Sequence, residues 1–199
     1  MMISPDNSNQ NPFHIFRQWY LEAVDSNISD PTIMSLATVG TDGKPSVRIV
    51  LLKEFDERGF VFYTNYISRK SLELEKNPWA ALVIHWHRLG HQVRIEGRID
   101  KITEGESDKY FSTRPRGHQL GAWASDQSQV VDSRESLDEA LRMRESEFDG
   151  KDIPRPPNWG GYRLKPDHIE FWVSRDDRMH DRILFERSGD SWKMLRLAP

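Results

Sequence analysis

The chain has 199 residues, of which 37% are hydrophobic and 30% are charged, a composition typical of one globular domain with a sizeable core. The formal net charge of −3 argues against a general nucleic-acid binder, because such proteins are usually basic. The chain contains no cysteine, which excludes disulfides and cysteine-based metal sites and fits a cytoplasmic location. No secretory signal or membrane span is visible, so we expect no membrane partner.

The first ten residues are predicted to form a disordered tail, and residues 11–199 a single domain that begins with a helix. Asn11-Pro12 has the pattern of a helix N-cap followed by proline in the first turn. An apolar stripe at helical spacing then consists of Phe13, Phe16, Tyr20, Ala23 and Val24.

Short strands with intervening turns dominate the remainder of the chain. They are predicted at residues 33–39, 46–53, 60–64, 79–87, 92–102, 159–173 (one or two strands), 183–187 and 192–197. Helices are predicted at residues 68–76, from Thr103 to near Pro115, and from Asp132 to about Phe148, where capping patterns occur. The expected fold is mainly β with inserted helices, an antiparallel barrel of six to eight strands.

The segments 48–53 and 62–70 together gather four cations, Arg48, Lys53, Arg69 and Lys70, near one predicted helix start. Ser68 is a suitable N-cap, which places Arg69 and Lys70 in the first turn, where the positive end of the helix dipole disfavours cations. A bound phosphate would reverse the sign of that interaction. The alternative is a solvated basic turn.

Two further groups of side chains have the chemistry of an anion site. Tyr110 and Arg114 are four residues apart on a predicted helix, so they share a face, and arginine binds oxyanions bidentately. In an extended chain Arg178, His180 and Arg182 point the same way, which predicts a site for an anionic aromatic ligand. The alternative for Tyr110 and Arg114 is an exposed packing pair, and the alternative for residues 178–182 is a polar strand end at the surface.

The usual nucleotide-binding and hydrolase motifs do not occur: there is no Gly-x-Gly-x-x-Gly, Walker A or Gly-x-Ser-x-Gly. A phosphate-bearing ligand would therefore need a barrel-type site of its own. His85, His87 and His91 have no carboxylate at ligand spacing, so we expect ordinary sheet histidines and no metal.

Taken together, the chain closely resembles the pyridoxine (pyridoxamine) 5′-phosphate oxidase family. The matching stretches are RIVLLK (48–53), FYTNYISRKSLEL (62–74), QVRIEG (92–97), YFSTRPRGHQLGAWASDQS (110–128), RPPNWGGYRLKP (155–166), IEFW (169–172), RMHDR (178–182) and RLAP (196–199). The resemblance implies an FMN-binding split β-barrel that forms a homodimer, with FMN in clefts at the subunit interface.

The resemblance also implies the site residues. The positions that match FMN contacts are Arg48, Ile49, Val50, Leu51, Leu52, Lys53, Tyr63, Thr64, Arg69, Lys70, Gln92, Gln127, Ser128, Trp172 and Arg182. The positions that match substrate contacts are Lys53, Tyr110, Arg114 and His118 at the phosphate, and the catalytic pair Arg178 and His180 at the pyridine ring. The chain departs from the family at His118, where many members carry serine, and at Val173-Ser174, where Gln-Gly is common. Arg48 and Lys53 raise one difficulty, because a regular strand would send them to opposite faces.

The implied activity is that of a pyridoxal 5′-phosphate synthase, which oxidises pyridoxine 5′-phosphate and pyridoxamine 5′-phosphate in vitamin B6 biosynthesis and salvage. A hydride passes from the substrate C4′ to FMN, and O2 reoxidises the flavin to give hydrogen peroxide. Two alternatives remain at this point: a non-oxidase FMN-binding split-barrel protein, such as a flavin carrier or reductase, and a phenazine-type flavin oxidase.

Overall fold

The computed structural model describes residues 11–199, so the predicted tail at residues 1–10 lies outside the described residues. Helix α1 (Pro12–Asp25) begins as predicted, because Asn11 Oδ1 accepts the N–H of Phe13 at 2.9 Å. Its buried face consists of Pro12, Phe13, Ile15, Phe16, Trp19 and Ala23. Val24 was expected on this face but is 48% exposed, because it lies about 100° past Ala23 around the helix.

Nine strands form one sheet in which every described pair is antiparallel. They are β1 (Ile33–Val39), β2 (Pro45–Leu51), β3 (Glu54–Asp56), β4 (Gly59–Asn65), β5 (Trp79–Trp86), β6 (His91–Lys101), β7 (Trp159–Val173), β8 (Asp181–Ser188) and β9 (Ser191–Leu197). The main path runs β2-β1-β5-β6-β7-β4-β3, and β8 and β9 extend from β7. The count exceeds the predicted six to eight; the predicted strand 46–53 ends at Leu51, and the short strand β3 that follows it was not predicted.

Two residues between β2 and β3 join the outer edges of the sheet. The N–H of Leu52 donates to Thr32 O at 2.8 Å, beside β1, and the N–H of Lys53 donates to Val61 O at 2.9 Å, on β4. The sheet therefore curls into a barrel. The difficulty with Arg48 and Lys53 disappears, because the regular alternation of β2 ends at Leu51.

Strand β7 belongs to two parts of the molecule. Its first residues, 159–164, pair with β4 inside the barrel, and residues 168–173 pair with β8. Between them lies Pro166, opposite an irregularity of β6 at Glu96/Gly97. Of the two predicted possibilities, one long strand is correct. Its second half pairs with β8, so the β8–β9 hairpin extends away from the barrel.

The remaining helices are α2 (Arg69–Lys76), α3 (Glu104–Ser112), α4 (Arg116–Ala124) and α5 (Arg134–Glu147). The capping box at the start of α3 is confirmed, since the N–H of Glu106 donates to Thr103 Oγ1 at 3.2 Å and its carboxylate accepts the N–H of Thr103 at 3.0 Å. The predicted cap of α5 at Asp132 is wrong by one residue, because Ser133 is the N-cap. No described helix is long and apolar enough to cross a membrane.

Helix α4 was not predicted. Pro115 was taken only as the end of the preceding helix, but it occupies the N-cap of α4. Proline is tolerated at a helix start, where its missing N–H needs no partner. Helices α3 and α4 pack over a small second core made of Phe111, Leu120, Phe148, Ile153 and Trp159. This helical layer stands beside β2 and β4 and forms one wall of the cleft described next.

Candidate functional site

A cleft of about 850 Å³ separates the barrel from the helical layer. Most of the predicted site residues line it: Arg48, Ile49, Val50, Leu51, Lys53, Tyr63, Thr64, Arg69, Lys70, Tyr110, Arg114, His118, Gln127 and Ser128. Leu52 does not line the cleft, because it is buried in the barrel core. The structure therefore brings together three segments that are distant in sequence: β2, the β4–α2 region and the α3–α4 region.

Lys70 is a buried cation on the barrel side of the cleft, with a relative exposure of 6%. Its Nζ donates to Gln127 Oε1 at 2.9 Å, Thr64 Oγ1 at 3.0 Å and Ser68 Oγ at 3.1 Å, which are all neutral groups. It forms no ion pair with a carboxylate in residues 11–199. Burial, followed by the nearby charge of Arg48, lowers the pKa of Lys70 to about 8. A buried charge without a counter-ion is unfavourable, so this site favours an anion.

Ser68 occupies the predicted N-cap position of α2, but its side chain makes no capping hydrogen bond. Its hydroxyl instead accepts from Lys70 Nζ and lies 3.2 Å from Ser71 Oγ. The boundary of the helix was thus predicted correctly. The predicted capping role of its side chain was wrong, because the hydroxyl accepts a hydrogen bond from the buried Lys70.

Glu73, which was not among the predicted site residues, compensates the two arginines near Lys70. Its carboxylate accepts hydrogen bonds from Thr38 Oγ1 at 2.5 Å, Ser46 Oγ at 2.6 Å and Arg69 Nε at 2.8 Å, and lies 3.4 Å from Arg48 Nη2. Burial opposes ionisation of Glu73, but these hydrogen bonds and the Arg48 charge outweigh it and hold its pKa at about 2. The i,i+4 spacing from Arg69 was the one sequence signal for this contact.

Arg114 lies on the opposite wall, against a stack of three aromatic rings. The prediction that it shares one helix with Tyr110 is wrong, because α3 ends at Ser112 and Arg114 lies in the turn before α4. The Tyr63 ring lies 3.9 Å from that of Tyr110 and 5.4 Å from that of Trp159, and both pairs are nearly parallel. Arg114 Cζ lies 4.6 Å from the Trp159 centroid, and its Nη1 is buried with no hydrogen-bond partner among the described residues. Burial lowers the pKa of Arg114. A half-buried guanidinium with a buried, unused donor is a second position suited to an oxyanion.

The other predicted residues lie outside the cleft, on the part of the sheet that extends from the barrel. Gln92 pairs with Trp172 across β6 and β7, and Trp172 pairs with Arg182 across β7 and β8. The His180 ring lies 4.6 Å from that of Trp172. Arg182 Nε donates to Glu170 at 2.8 Å, so its charge is compensated. Within one chain, the predicted site residues therefore form two separate groups.

The predicted common face of Arg178, His180 and Arg182 is wrong. Residues Asp176–Arg178 form a 3-10 turn, in which Asp177 has a φ of 54° and Arg178 a φ of 60°. The extended strand β8 begins only at Asp181. The alternation of side chains that an extended chain imposes therefore does not apply to this stretch.

Comparison with known proteins identifies the family. Residues 20–172 match the family model described as pyridoxamine 5′-phosphate oxidase, and residues 159–199 match the model described as the pyridoxine 5′-phosphate oxidase C-terminal dimerisation region. The chain belongs to the pyridoxamine 5′-phosphate oxidase family. The resemblance seen in the sequence is confirmed.

Curated members of the family match along nearly the whole chain. A pyridoxine/pyridoxamine 5′-phosphate oxidase of Rubrobacter xylanophilus is 52% identical over 197 residues, which cover 99% of this chain and 91% of the relative. One of Burkholderia lata is 55% identical over 192 residues, which cover 95% of this chain and 89% of the relative.

Solved structures confirm the predicted split β-barrel. PhzG from Burkholderia lata 383, solved in complex with tetrahydrophenazine-1-carboxylic acid, is 33% identical with a TM-score of 0.93 and covers 100% of this chain and 98% of its own. A pyridoxamine 5′-phosphate oxidase-related, FMN-binding protein from Nostoc punctiforme is 19% identical with a TM-score of 0.76 and covers 96% and 100%. At 19% identity, the similarity to the Nostoc punctiforme protein supports the fold alone.

Proposed function

We propose that the protein is an FMN-dependent oxidase that converts pyridoxine 5′-phosphate and pyridoxamine 5′-phosphate to pyridoxal 5′-phosphate. The observation that carries this proposal is a pair of cations that line one cleft without a carboxylate partner in residues 11–199: the buried Lys70, and the half-buried Arg114, whose Nη1 is buried. Two uncompensated cations in one cleft suit two phosphates, one on the cofactor and one on the substrate.

The barrel side of the cleft fits the phosphate of FMN. Lys70 supplies the buried ammonium, and Thr64 and Gln127 hold its Nζ in place. Arg48 and Arg69 reach the same wall and are oriented by Glu73. When bound, FMN supplies the two-electron chemistry, in which the hydride from the substrate C4′ is accepted and O2 is reduced to hydrogen peroxide.

The helical side of the cleft fits the substrate phosphate. Arg114 offers its free Nη1, and Tyr110, in the last turn of α3, lines the same cleft with its hydroxyl available as a donor. Lys53 and His118 line the same cleft. In this proposal His118 donates to the phosphate where other members use serine.

We further propose that the protein acts as a homodimer. The matched C-terminal model is described as a dimerisation region, and it spans strands β7–β9, which carry Trp172 and Arg182, and the loop that carries His180. These side chains lie outside the cleft of their own chain. Association of two chains would place them at a partner's cleft, so we expect FMN affinity to fall on dilution below the dimer dissociation constant. Tight FMN binding by a monomer, measured by ultracentrifugation with flavin absorbance, would contradict this.

The test of the proposed activity uses purified protein loaded with FMN and incubated under air with each phosphorylated vitamer. We expect pyridoxal 5′-phosphate and hydrogen peroxide from both substrates, with ammonia released from the amine. Unphosphorylated pyridoxine should react poorly, because it leaves Arg114 without an anion. A fully flavinated protein that forms no aldehyde would show that the proposal is wrong.

A phenazine-type oxidase is the second candidate, because PhzG shares the fold and 33% of the sequence. Relatives named for the vitamin B6 reaction are more similar, at 52% and 55% identity. A phenazine-type enzyme would turn over a reduced tricyclic carboxylic acid and ignore pyridoxine 5′-phosphate. A non-oxidase member of the fold would bind FMN and turn over neither.

The protonation of Lys70 predicts how FMN affinity depends on pH. In the free protein its pKa is about 8, and only the charged form attracts a phosphate. Below pH 8 the lysine is charged and affinity is high; above pH 8 the free protein loses the proton that the complex needs. The dissociation constant should therefore rise by up to about tenfold per pH unit above 8. Fluorescence titration between pH 6.5 and 9.5 measures this, and a constant affinity across the range would contradict it.

A further inference from the structure

The loop at residues 174–180 carries Arg178 and His180, and it is fastened by a neighbouring arginine that no functional prediction included. Arg175 Nε donates to Asp181 Oδ2 at 2.8 Å. The second oxygen of that carboxylate, Oδ1, accepts from Arg196 Nη1 on β9 at 2.7 Å. Asp181 therefore joins both ends of the loop to the last strand of the sheet.

The backbone of Arg175 also contacts His180 directly. Its N–H donates to His180 Nδ1 at 3.2 Å. An imidazole nitrogen that accepts a hydrogen bond carries no proton, so the neutral ring holds its proton on Nε2. The Arg175–Asp181 contact thus fixes the backbone group that selects the tautomer of His180.

The loop needs such a fastening because its backbone is unusual. Asp177 and Arg178 are consecutive residues with φ values of 54° and 60°. Non-glycine residues rarely adopt this left-handed conformation, and two in succession persist only where surrounding contacts hold them. Within the loop, the Arg175–Asp181 ion pair and the Met179 N–H to Asp176 O bond of 3.0 Å are such contacts.

We propose that Arg175 is a positioning residue, which holds the 174–180 loop through Asp181 so that Arg178 and the Nε2–H tautomer of His180 are presented to the substrate. This inference rests on the proposed oxidase function. Arg175 itself touches neither substrate nor cofactor in the proposal. Its effect is on the arrangement of the two residues that contact the pyridine ring.

The test compares Arg175→Gln with Arg175→Lys, which keeps the charge, and with the control Arg134→Gln. Arg134 forms a more exposed ion pair with Asp138 at 3.0 Å on α5, outside both groups of site residues. For R175Q we expect kcat to fall about fivefold, the effect of losing a partly exposed ion pair. KM and the FMN dissociation constant should stay within about twofold, because the contacts of both phosphates are intact. R175K should recover most of the loss, and R134Q should match the wild type.

Two further measurements separate positioning from general destabilisation. Nitrogen-15 NMR of the imidazole should show the Nε2–H form of His180 in the wild type and a mixture of tautomers in R175Q. The double variant R175Q/D181N should be no slower than D181N, because Arg175 acts through Asp181. Unchanged kcat and an unchanged imidazole spectrum in R175Q would overturn the inference, as would parallel losses of kcat, FMN affinity and melting temperature. Since the spectrum does not depend on turnover, an inactive wild type would contradict the proposed function and leave the tautomer test intact.

Discussion

Replacement of Lys70 by methionine should lower the affinity for FMN about 100-fold, as expected when a buried charge-assisted contact to a phosphate is lost. Methionine has a similar length and fills the same space without the charge. Apoprotein stability should be unchanged or higher, because the variant removes a buried ammonium that has only neutral partners. The hydroxyl of Thr64 keeps its bond to Gln127 Oε1 at 2.9 Å, so the groups around the site are not left unpaired.

The experiment on Lys70 has two controls. Lys76→Met removes an exposed lysine from the end of the same helix, outside the cleft, and should leave FMN affinity unchanged. Riboflavin lacks the phosphate, so its affinity should be equal for the wild type and K70M. If K70M weakens riboflavin as much as FMN, Lys70 supports the cleft as a whole and the assignment to a phosphate is wrong.

The sequence predicted those elements whose signals are local. The strand at Ile33–Val39, the Asn11 cap and the Thr103 capping box were placed correctly, because turn residues and caps act within a few residues of themselves. Helix α4 was missed because Pro115 is compatible with both an end and a start of a helix. Local sequence alone does not distinguish these two roles.

The candidate site was predicted less completely, because its electrostatics depend on contacts across the fold. Glu73 becomes the partner of Arg48 only when α2 packs beside β1 and β2. The prediction that Arg178, His180 and Arg182 share one face was wrong because it assumed an extended backbone. Arg178 instead has a φ of 60°, a value that a bulky residue adopts only under tertiary constraint. The resemblance to the family supplied the residue identities, but not which cations are compensated.

Compensation is what distinguishes the cations of the cleft. Arg48 and Arg69 share Glu73, and Arg182 pairs with Glu170, so their charges are partly balanced within the chain. Lys70 and Arg114 have no such carboxylate among residues 11–199; Lys53 has none either, but it is exposed to solvent. The free energy gained on binding a phosphate should therefore be largest at these two residues, since an uncompensated buried charge gains most from a new partner. The arginines paired with Glu73 should contribute less to affinity than their number suggests.

Replacement of Arg114 by methionine should lower kcat/KM for pyridoxine 5′-phosphate about 100-fold, mainly through KM, while FMN affinity stays unchanged. The guanidinium is the only part removed, since methionine can still pack against Trp159, where Arg114 Cζ lies 4.6 Å from the ring centroid. Lys109→Met, which removes an exposed cation from α3 outside the cleft, is the matched control and should behave like the wild type. Steady-state kinetics with pyridoxine as a second substrate isolates the phosphate, because R114M should lose its preference for the phosphorylated form. If the variant loses activity equally towards both forms, or releases FMN, Arg114 does not bind the substrate phosphate and the second anion position must be assigned differently.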